Sequence, residues 1–179
     1  DETHGLIWEI KSLDDGGLQD GRHMYTWYDS NPATNGGEHG VGDTGFATST
    51  GWQNRTDHQY GADDCYDSSR CDTEKYVEDI NAIALCGATD WRLPTRDELA
   101  SLIYNWGGKY APNRPPGSAY IRTDYFPYIS NITTNDFWWS STTHDRENYL
   151  VRNIDFRSGV EASSGKGSRG HIMLVRNTD

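Results

Sequence analysis

The chain has 179 residues, of which 34 % are hydrophobic and 12 % aromatic, including seven Trp and eleven Tyr. This aromatic content excludes a disordered chain and predicts a loop-rich globular fold around a few large rings. The formal net charge of −11 argues against nucleic-acid binding, because that function needs a basic stripe. The length fits one domain, residues 1–179, and no apolar run is long enough to insert into a membrane. Because the chain starts at Asp1 and not at Met, we expect a processed mature protein or an excised domain.

The acidic charge is concentrated in the first half of the chain. Residues 1–90 carry 18 acidic and 5 basic side chains, whereas residues 91–179 carry 9 and 11. Solubility is enough to explain this excess. Asp63, Asp64 and Asp67 are candidate Ca²⁺ ligands, although no Asp-x-Asp-x-Asp-Gly loop supports them, and no cofactor is predicted with certainty.

In chain order, the predicted elements are a strand, a long loop, two helices and a meander. Residues 5–10 alternate well enough for a strand, whereas residues 29–70 lack periodicity and predict a long loop insertion, either functional or ordered. Residues 72–106 predict two helices, and residues 137–176 predict an antiparallel β-meander of three or four strands. This order predicts the α+β class, with the chain ends together if the first strand pairs with the last.

The two predicted helices are separated by a tight proline turn. The first covers residues 72–87, because acids crowd its first turn and Gly87 supplies a stop. The second opens with a capping box from Thr95 to Glu98 and extends to Trp106. The predicted buried face of the first helix consists of Val77, Ile80, Ile83 and Ala84.

The three cysteines allow more than one disulfide pairing. Cys65 and Cys71 lie in a turn-rich stretch that could close on itself, and this pair is the first choice; Cys65 with Cys86 is the second. Cys71 and Cys86 flank a predicted helix and would lie about 20 Å apart, whereas a disulfide needs Cα atoms within roughly 7 Å. We expect the unpaired thiol to be buried. Zinc is disfavoured, because the cysteines and histidines lack the usual ligand spacing.

An ordered set of short motifs covers nearly the whole chain, apart from residues 29–64 and 107–120. The longest is Asp90-Trp-Arg-Leu-Pro-Thr-Arg-Asp-Glu-Leu99. The others, in order, are Gly5-Leu-Ile-Trp8, Tyr25-Thr-Trp27, Cys71-Asp-Thr, Leu85-Cys86-Gly87, Tyr125-Phe126-Pro127, Trp139-Ser-Ser-Thr142, Val151-Arg-Asn-Ile-Asp-Phe156 and Leu174-Val-Arg176. On these motifs the chain resembles a bacterial family, the C-terminal domain of the collagen-like adhesin Lcl.

The resemblance implies a fold and a cellular location. It implies a C-type-lectin-like fold with two central helices, a small antiparallel meander and long loops, related to the formylglycine-generating enzyme. It also implies a secreted or surface-anchored bacterial protein, because characterised members act as adhesins for glycans. In such a fold we expect Trp8, Trp91 and Trp139 to lie in the core.

The same resemblance indicates where a ligand would bind. C-type-lectin-like domains present ligands on the meander and its loops, which correspond to residues 143–171. Polar side chains there would bond sugar hydroxyls, arginines would bind carboxylates or sulfates, and Trp138 or Tyr149, if exposed, would stack on a sugar ring. The candidate ligand-binding residues are His144, Asp145, Arg146, Asn148, Arg152, Asp155, Arg157, Lys166 and Arg169.

The predicted function is extracellular, non-catalytic recognition of a glycan or another surface ligand. The sequence lacks the Gly-x-Ser-x-Gly, His-Glu-x-x-His and phosphate-loop motifs, and residues 87–179 lack the cysteine pair of the formylglycine-generating enzyme. A related enzyme is therefore the least favoured alternative, and no catalytic residue is predicted. The other alternative is a structural or protein-binding subunit of a surface filament or secreted assembly. The expected partner is a glycan or a surface protein, with homo-oligomerisation or attachment to a larger surface protein left open.

Overall fold

The computed structural model describes residues 4–13, 16–42, 65–104, 119–131 and 136–178. The helices and strands, in chain order, are β1 (Leu6–Trp8), α1 (Thr73–Ala82), α2 (Arg96–Ser101), β2 (Trp138–Thr143), β3 (Leu150–Asp155), β4 (Val160–Gly165) and β5 (Val175–Asn177). Two short 3₁₀ helices cover Leu85–Gly87 and Pro127–Asn131. This mixture of helices and antiparallel strands confirms the predicted α+β class.

The strands form two separate antiparallel sheets. β2, β3 and β4 lie side by side in that order, and β1 pairs with β5. The condition given for proximity of the two terminal segments is therefore met. The segment 171–176 does not extend the meander as a further neighbouring strand. Instead His171 makes one parallel bridge to Trp138 on the far side of β2, and β5 then leaves to join β1.

The three-stranded sheet has a hydrophobic cluster on each face. The adjacent residues Trp138 and Trp139 point to opposite sides, because side chains alternate along a strand. Trp138 packs in one cluster with Leu99 of α2, and Trp139 packs in the other with Trp91. The same division continues in β3 and before β5, where Val151, Ile172 and Leu174 join the Trp91 cluster and Ile154 and Met173 join the Leu99 cluster. The sheet is therefore the central layer of the fold.

α1 begins where the sequence predicts and ends earlier. Its N-cap is Asp72, whose carboxylate accepts a hydrogen bond of 2.8 Å from the backbone N–H of Lys75. The helix ends at Ala82 and not at Gly87, because the backbone enters the left-handed region at Ala84, with φ of 48°. Only the start of the prediction is confirmed.

A tertiary contact accounts for the early end of α1. The side-chain amide of Asn81 donates to the carbonyl of Trp91 at 2.8 Å and accepts from its N–H at 2.9 Å. The indole of Trp91 donates to the carbonyl of Leu85 at 3.0 Å. These bonds hold Trp91 in the core and require the chain to fold back soon after α1. The expected core positions of Trp91 and Trp139 are confirmed, whereas Trp8 is only partly buried.

The buried face of α1 differs from the predicted one. Its buried residues are Thr73, Tyr76 and Ile80, so only Ile80 was predicted correctly as fully buried. Ile83 is 57 % exposed, because it caps the end of the helix, where the helical period no longer applies. Val77 and Ala84 are partly buried.

α2 is short and held by a charged contact. The predicted capping box is present: the Thr95 hydroxyl accepts from the N–H of Glu98, and the Glu98 carboxylate accepts from the N–H of Thr95 at 2.7 Å. The Arg92 guanidinium donates to both carboxylate oxygens of Glu98, at 2.8 and 2.7 Å. The helix ends at Ser101, although the predicted end was Trp106, which lies outside the described residues.

The first-choice disulfide, Cys65–Cys71, is confirmed, with the two Cα atoms 5.6 Å apart. Cys86 is a free and exposed cysteine, so the prediction that the odd thiol is buried is wrong. Its position on the outside follows from the left-handed backbone of the 3₁₀ turn, where its φ is 54°. Asp63 and Asp64, two of the candidate Ca²⁺ ligands, lie outside the described residues. The carboxylate of Asp67 accepts from the N–H and hydroxyl of Ser69.

The contact between Arg92 and Glu98 generates a pH-dependent prediction. The hydrogen bonds from Arg92 hold the pKa of Glu98 below its ordinary value of 4.5. The stabilisation is therefore complete above about pH 4.5 and is lost as the pH falls through the folded-state pKa. We expect Glu98→Gln to lower the free energy of unfolding by about 1 kcal/mol at pH 7. The difference from the wild type should shrink steadily below pH 4.5, as measured by urea unfolding over a pH series.

The matched control for this prediction is Glu161→Gln. Glu161 makes a single 3.2 Å contact with Arg96, and both side chains are well exposed. Its replacement should change the unfolding free energy by less than about 0.5 kcal/mol at any of these pH values. An equal loss in both variants, or a Glu98→Gln difference that persists in acid, contradicts the role assigned to Arg92.

Candidate functional site

Two connections of the meander come together at one end of the three-stranded sheet. The register pairs Leu150 with Gly165, so the β2–β3 loop and the segment after β4 leave the sheet side by side. The Lys166 N–H donates to the carbonyl of Tyr149 at 3.0 Å and joins these two segments directly. We call this surface, formed by residues 144–149 and 165–168, the loop end.

Most of the predicted ligand-binding residues lie at the loop end. His144 shapes the loop, because its Nδ1 accepts from the backbone N–H groups of Arg146 and Glu147 at 3.3 and 3.2 Å. Asp145, Arg146 and Asn148 are exposed beside it. Arg169 is partly buried and lies farther along the segment after β4, next to Gly170, which packs against Phe137 before the start of β2. The loop end therefore combines donors and acceptors on a turn braced by an imidazole.

Arg152 extends this polar surface onto the face of β3. Its guanidinium lies 3.3 Å from the Asp145 carboxylate and 3.4 Å from the Ser163 hydroxyl on β4. These partners restrict the long side chain to one region of the sheet. The guanidinium remains partly exposed and is directed towards the loop end.

Asp155 and Arg157 do not lie with the other predicted site residues. They occupy the opposite end of the sheet, at the β3–β4 turn, which we call the turn end (residues 156–159). The six residues of β3 separate the two ends by roughly 17 Å at ~3.4 Å per residue. The Asp155 carboxylate accepts from the N–H groups of Arg157 and Ser158 and from the Ser158 hydroxyl, and so shapes the turn. The structure thus splits the predicted site.

Lys166 is not available at the surface. Its side chain is buried, with 2 % of the residue exposed. Its ammonium donates to the backbone carbonyls of Asn35, at 2.8 Å, and of Glu38, and it lies 4.7 Å from the ring centroid of Trp27. Burial lowers the pKa of Lys166, and the nearby carboxylate of Glu38 opposes this shift. Lys166 therefore binds a loop of its own chain. Trp138, a candidate for stacking on sugars, is also buried.

The segment that Lys166 holds covers residues 29–42, and we call it the docked loop. Gly36 lies so close to the sheet that a Cβ there would approach the Thr143 side chain to 2.8 Å. Gly40, with φ of 87°, lies against the carbonyl of Trp27 where no side chain would fit. The docked loop thus rests on the sheet next to the loop end and forms a second wall of the candidate site.

The docked loop is braced by its own polar side chains. The Asp29 carboxylate accepts from the N–H of Asn31 at 2.9 Å and from the hydroxyl of Thr34 at 2.6 Å. The side-chain oxygen of Asn35 accepts from the N–H of Gly37 at 3.0 Å. The sequence signal for an ordered loop was this density of Asn, Asp and Gly. Its docking partner was not visible, because nothing in the sequence marks Lys166 as a buried lysine.

Titratable groups also converge inside the protein, away from the loop end. Glu9 and Lys11 form an ion pair of 3.0 Å, and the Tyr76 hydroxyl bonds to both. The other carboxylate oxygen of Glu9 accepts from the N–H of Leu174 at 3.0 Å. Burial lowers the pKa of Lys11 and raises that of Tyr76. All three side chains are buried, so this cluster joins β1, α1 and the segment before β5.

Within the described ranges, no group of three or more His, Cys, Asp or Glu side chains is arranged to hold a metal ion. In the same part of the chain, no helix is both long and apolar enough to cross a membrane. A shallow groove between α2 and the terminal strands is lined by His4, Leu6, Asp97, Glu98, Ser101 and Asn177. It shares no lining residue with the loop end.

The role of Lys166 can be tested by removing its charge. Lys166→Met removes the ammonium donor from the carbonyls of Asn35 and Glu38, and we expect the free energy of unfolding to fall by about 1–3 kcal/mol. Hydrogen exchange in residues 29–42 should accelerate, while exchange in β1 and β5 stays as in the wild type. Lys75→Met is the control, because its ammonium makes only a surface ion pair with Glu78. Unchanged exchange in residues 29–42 would show that Lys166 does not hold the docked loop.

Comparison with known proteins identifies the family. A family model described as the Lcl C-terminal domain matches residues 1–176, a range that includes both terminal strands, both helices and the three-stranded sheet. No curated protein and no solved structure matches the chain significantly. The matched family is adhesin-related, is not a known enzyme family, and indicates a surface or secreted protein. The chain belongs to the Lcl C-terminal domain family.

Proposed function

We propose that this chain is an extracellular, non-catalytic recognition domain with a C-type-lectin-like fold that binds a glycan at the loop end. Membership of an adhesin-related family supports the general role. Paired chain ends, two helices and an antiparallel meander support the fold assignment. The observation that supports the proposal is that Arg146 and Arg152 lie with the polar acceptors Asp145 and Asn148 at one end of the three-stranded sheet.

The proposed ligand is a glycan that carries carboxylate or sulfate groups. Arginine presents a planar fork of N–H donors that matches such anions bidentately. Asp145 and Asn148 supply acceptors for the hydroxyl groups of the same sugar, and both are exposed. The ring of Tyr149, 47 % exposed, offers an apolar face for a pyranose beside them. The loop end thus offers binding groups for both the charged and the neutral parts of an acidic sugar.

The rigidity of the frame supports binding at this place. The loop end is joined by backbone hydrogen bonds to β3, and the docked loop beside it is held by Lys166. A surface that is already ordered loses less conformational entropy when it binds. Catalysis is not part of the proposal, because the converging group of Glu9, Lys11 and Tyr76 is buried away from the loop end.

A second candidate function is assembly with other protein chains. Among the described strands, β4 lies at the edge of its sheet, and Val160 at its start is exposed. An open strand edge is a template for pairing with another chain. Light scattering over a concentration series tests this alternative. It requires that the average molecular mass of the wild-type domain rises with concentration in the absence of any glycan.

The proposal predicts a selective effect of arginine removal. We expect the triple variant Arg146→Ala, Arg152→Ala and Arg169→Ala to bind sulfated or uronic-acid-containing hexasaccharides about tenfold or more weakly, because charge-assisted hydrogen bonds are lost. Binding is measured on an array of immobilised hexasaccharides, with and without chelator, at low and high salt. High salt should weaken wild-type binding, because exposed charges are screened.

Arg157→Ala is the matched control for the triple variant. It removes the same functional group from the turn end of the same sheet and should leave binding unchanged. Equal losses in both variants would indicate a general electrostatic effect, and full binding by the triple variant would remove the loop end as the site. Loss of binding with chelator alone would assign part of the site to a metal ion.

A further inference from the structure

A second exposed cluster of aromatic and charged groups lies outside the loop end. The guanidinium carbon of Arg122 lies 5.5 Å from the ring centroid of Tyr104 and 5.1 Å from that of Tyr125. Asp124 accepts from the Nε of Arg122 at 2.9 Å and also binds its Nη2. One guanidinium is therefore in contact with two tyrosine rings and is fixed by a bidentate ion pair. We call these four residues the tyrosine platform.

The platform is attached to the turn end of the sheet. The N–H of Tyr104 donates to the carbonyl of Tyr120 at 2.7 Å, and the N–H of Tyr120 donates to the carbonyl of Phe156 at 2.6 Å. Gly159 of the turn lies directly against the ring of Tyr120. Phe156 is fully buried and follows β3, so the platform is connected by backbone bonds to the core. It is separated from the loop end by the length of β3.

Burial does not account for the aromatic rings of the platform. Tyr125 is 63 % exposed and Tyr104 39 % exposed, whereas the next residue after Tyr125, Phe126, is buried in the core. An exposed ring adds little to the hydrophobic core, and large exposed apolar groups that lie together often mark binding sites. The contacts with Arg122 hold both rings in place, because cations are attracted to aromatic faces.

We propose that the tyrosine platform is a binding site for a neutral pyranose sugar. A pyranose has one face of C–H groups, which packs against an aromatic ring, and a rim of hydroxyl groups. Arg122 has five N–H donors, of which the pair with Asp124 uses two, and the carboxylate has further acceptor positions. Exposed rings beside a donor and an acceptor match both parts of such a sugar.

The net charge of the platform indicates which class of ligand it would bind. Asp124 neutralises Arg122, so the cluster has no net charge to attract a sulfated or carboxylated chain. Tyrosine and arginine are also enriched at protein interfaces, whereas aspartate is depleted there, so a protein partner is the competing outcome of the test. The proposal does not depend on the loop end, since its residues lie elsewhere and its ligand is uncharged.

The test uses the full chain and unsulfated hexasaccharides of glucose, galactose and mannose, immobilised on a column in 0.5 M salt. We expect the wild type to be retarded by at least one of these sugars, and Tyr125→Ala and Tyr104→Ala to be retarded about tenfold less, a loss equivalent to one aromatic contact. Tyr125→Phe keeps the ring and should stay within about twofold of the wild type. Tyr66→Ala removes another exposed tyrosine, outside the platform, and should have no effect.

The two proposed sites are distinguished by measuring the binding of each set of variants to both the sulfated and the neutral hexasaccharides. The platform variants should keep binding to sulfated hexasaccharides, and the triple arginine variant should keep binding to the neutral ones. No retention of any neutral hexasaccharide by the wild type, or equal retention by Tyr125→Ala, overturns the platform proposal. A Tyr125→Ala variant that changes only self-association in sedimentation also overturns it and identifies a protein contact instead.

Discussion

The fold depends on one constraint: the β2–β3 pair has apolar side chains on both faces. Trp138 and Trp139 are adjacent, so the geometry of a strand directs them to opposite sides, and each needs a hydrophobic partner. α2 supplies Leu99 on one side, and α1 with Trp91 supplies the other. Because both faces of this pair are covered, the sheet can meet a ligand only at its two ends and along β4. The proposed sites lie at these two ends.

The hydrogen bonds that hold the loops also follow from the covered faces of the sheet. A loop at the end of a covered sheet must satisfy its own backbone groups, and the loop end does so through His144 and through the bond from Lys166 to Tyr149. Lys166 follows directly after β4. Its side chain turns inward, and its ammonium donates to two backbone carbonyls of the docked loop. Lys166 thus joins a glycine-rich segment from the first half of the chain to the sheet of the second half. The proposed ligand surface is therefore built from both halves of the chain.

Local signals in the sequence predicted local structure well. The capping box of Thr95 and Glu98, the start of α1 and the Cys65–Cys71 disulfide depend on neighbouring residues, and all three are confirmed. The pairing of the terminal strands is a long-range contact that the sequence analysis gave only as a condition, and the structure contains it. The end of α1 was predicted wrongly, because a contact between Asn81 and Trp91 determines it. The burial of Lys166 and the separation of Asp155 and Arg157 from the loop end depend on the register of β3 and β4. Such long-range geometry has no local signature, and the same holds for the contacts of Arg122 with the rings of Tyr104 and Tyr125.

The central claim is that the covered sheet is a rigid scaffold and that an acidic glycan binds at its loop end. NMR titration of the ¹⁵N-labelled chain with a sulfated hexasaccharide tests this most directly, because every backbone amide reports separately. We predict shift changes confined to residues 144–149, 165–168 and 29–42 and to Arg152, with the amides of Ile154 and Asp155 at the far end of β3 unaffected. Changes centred on the turn end, or spread through the amides of Trp138, Trp139 and the strands around them, would contradict the claim.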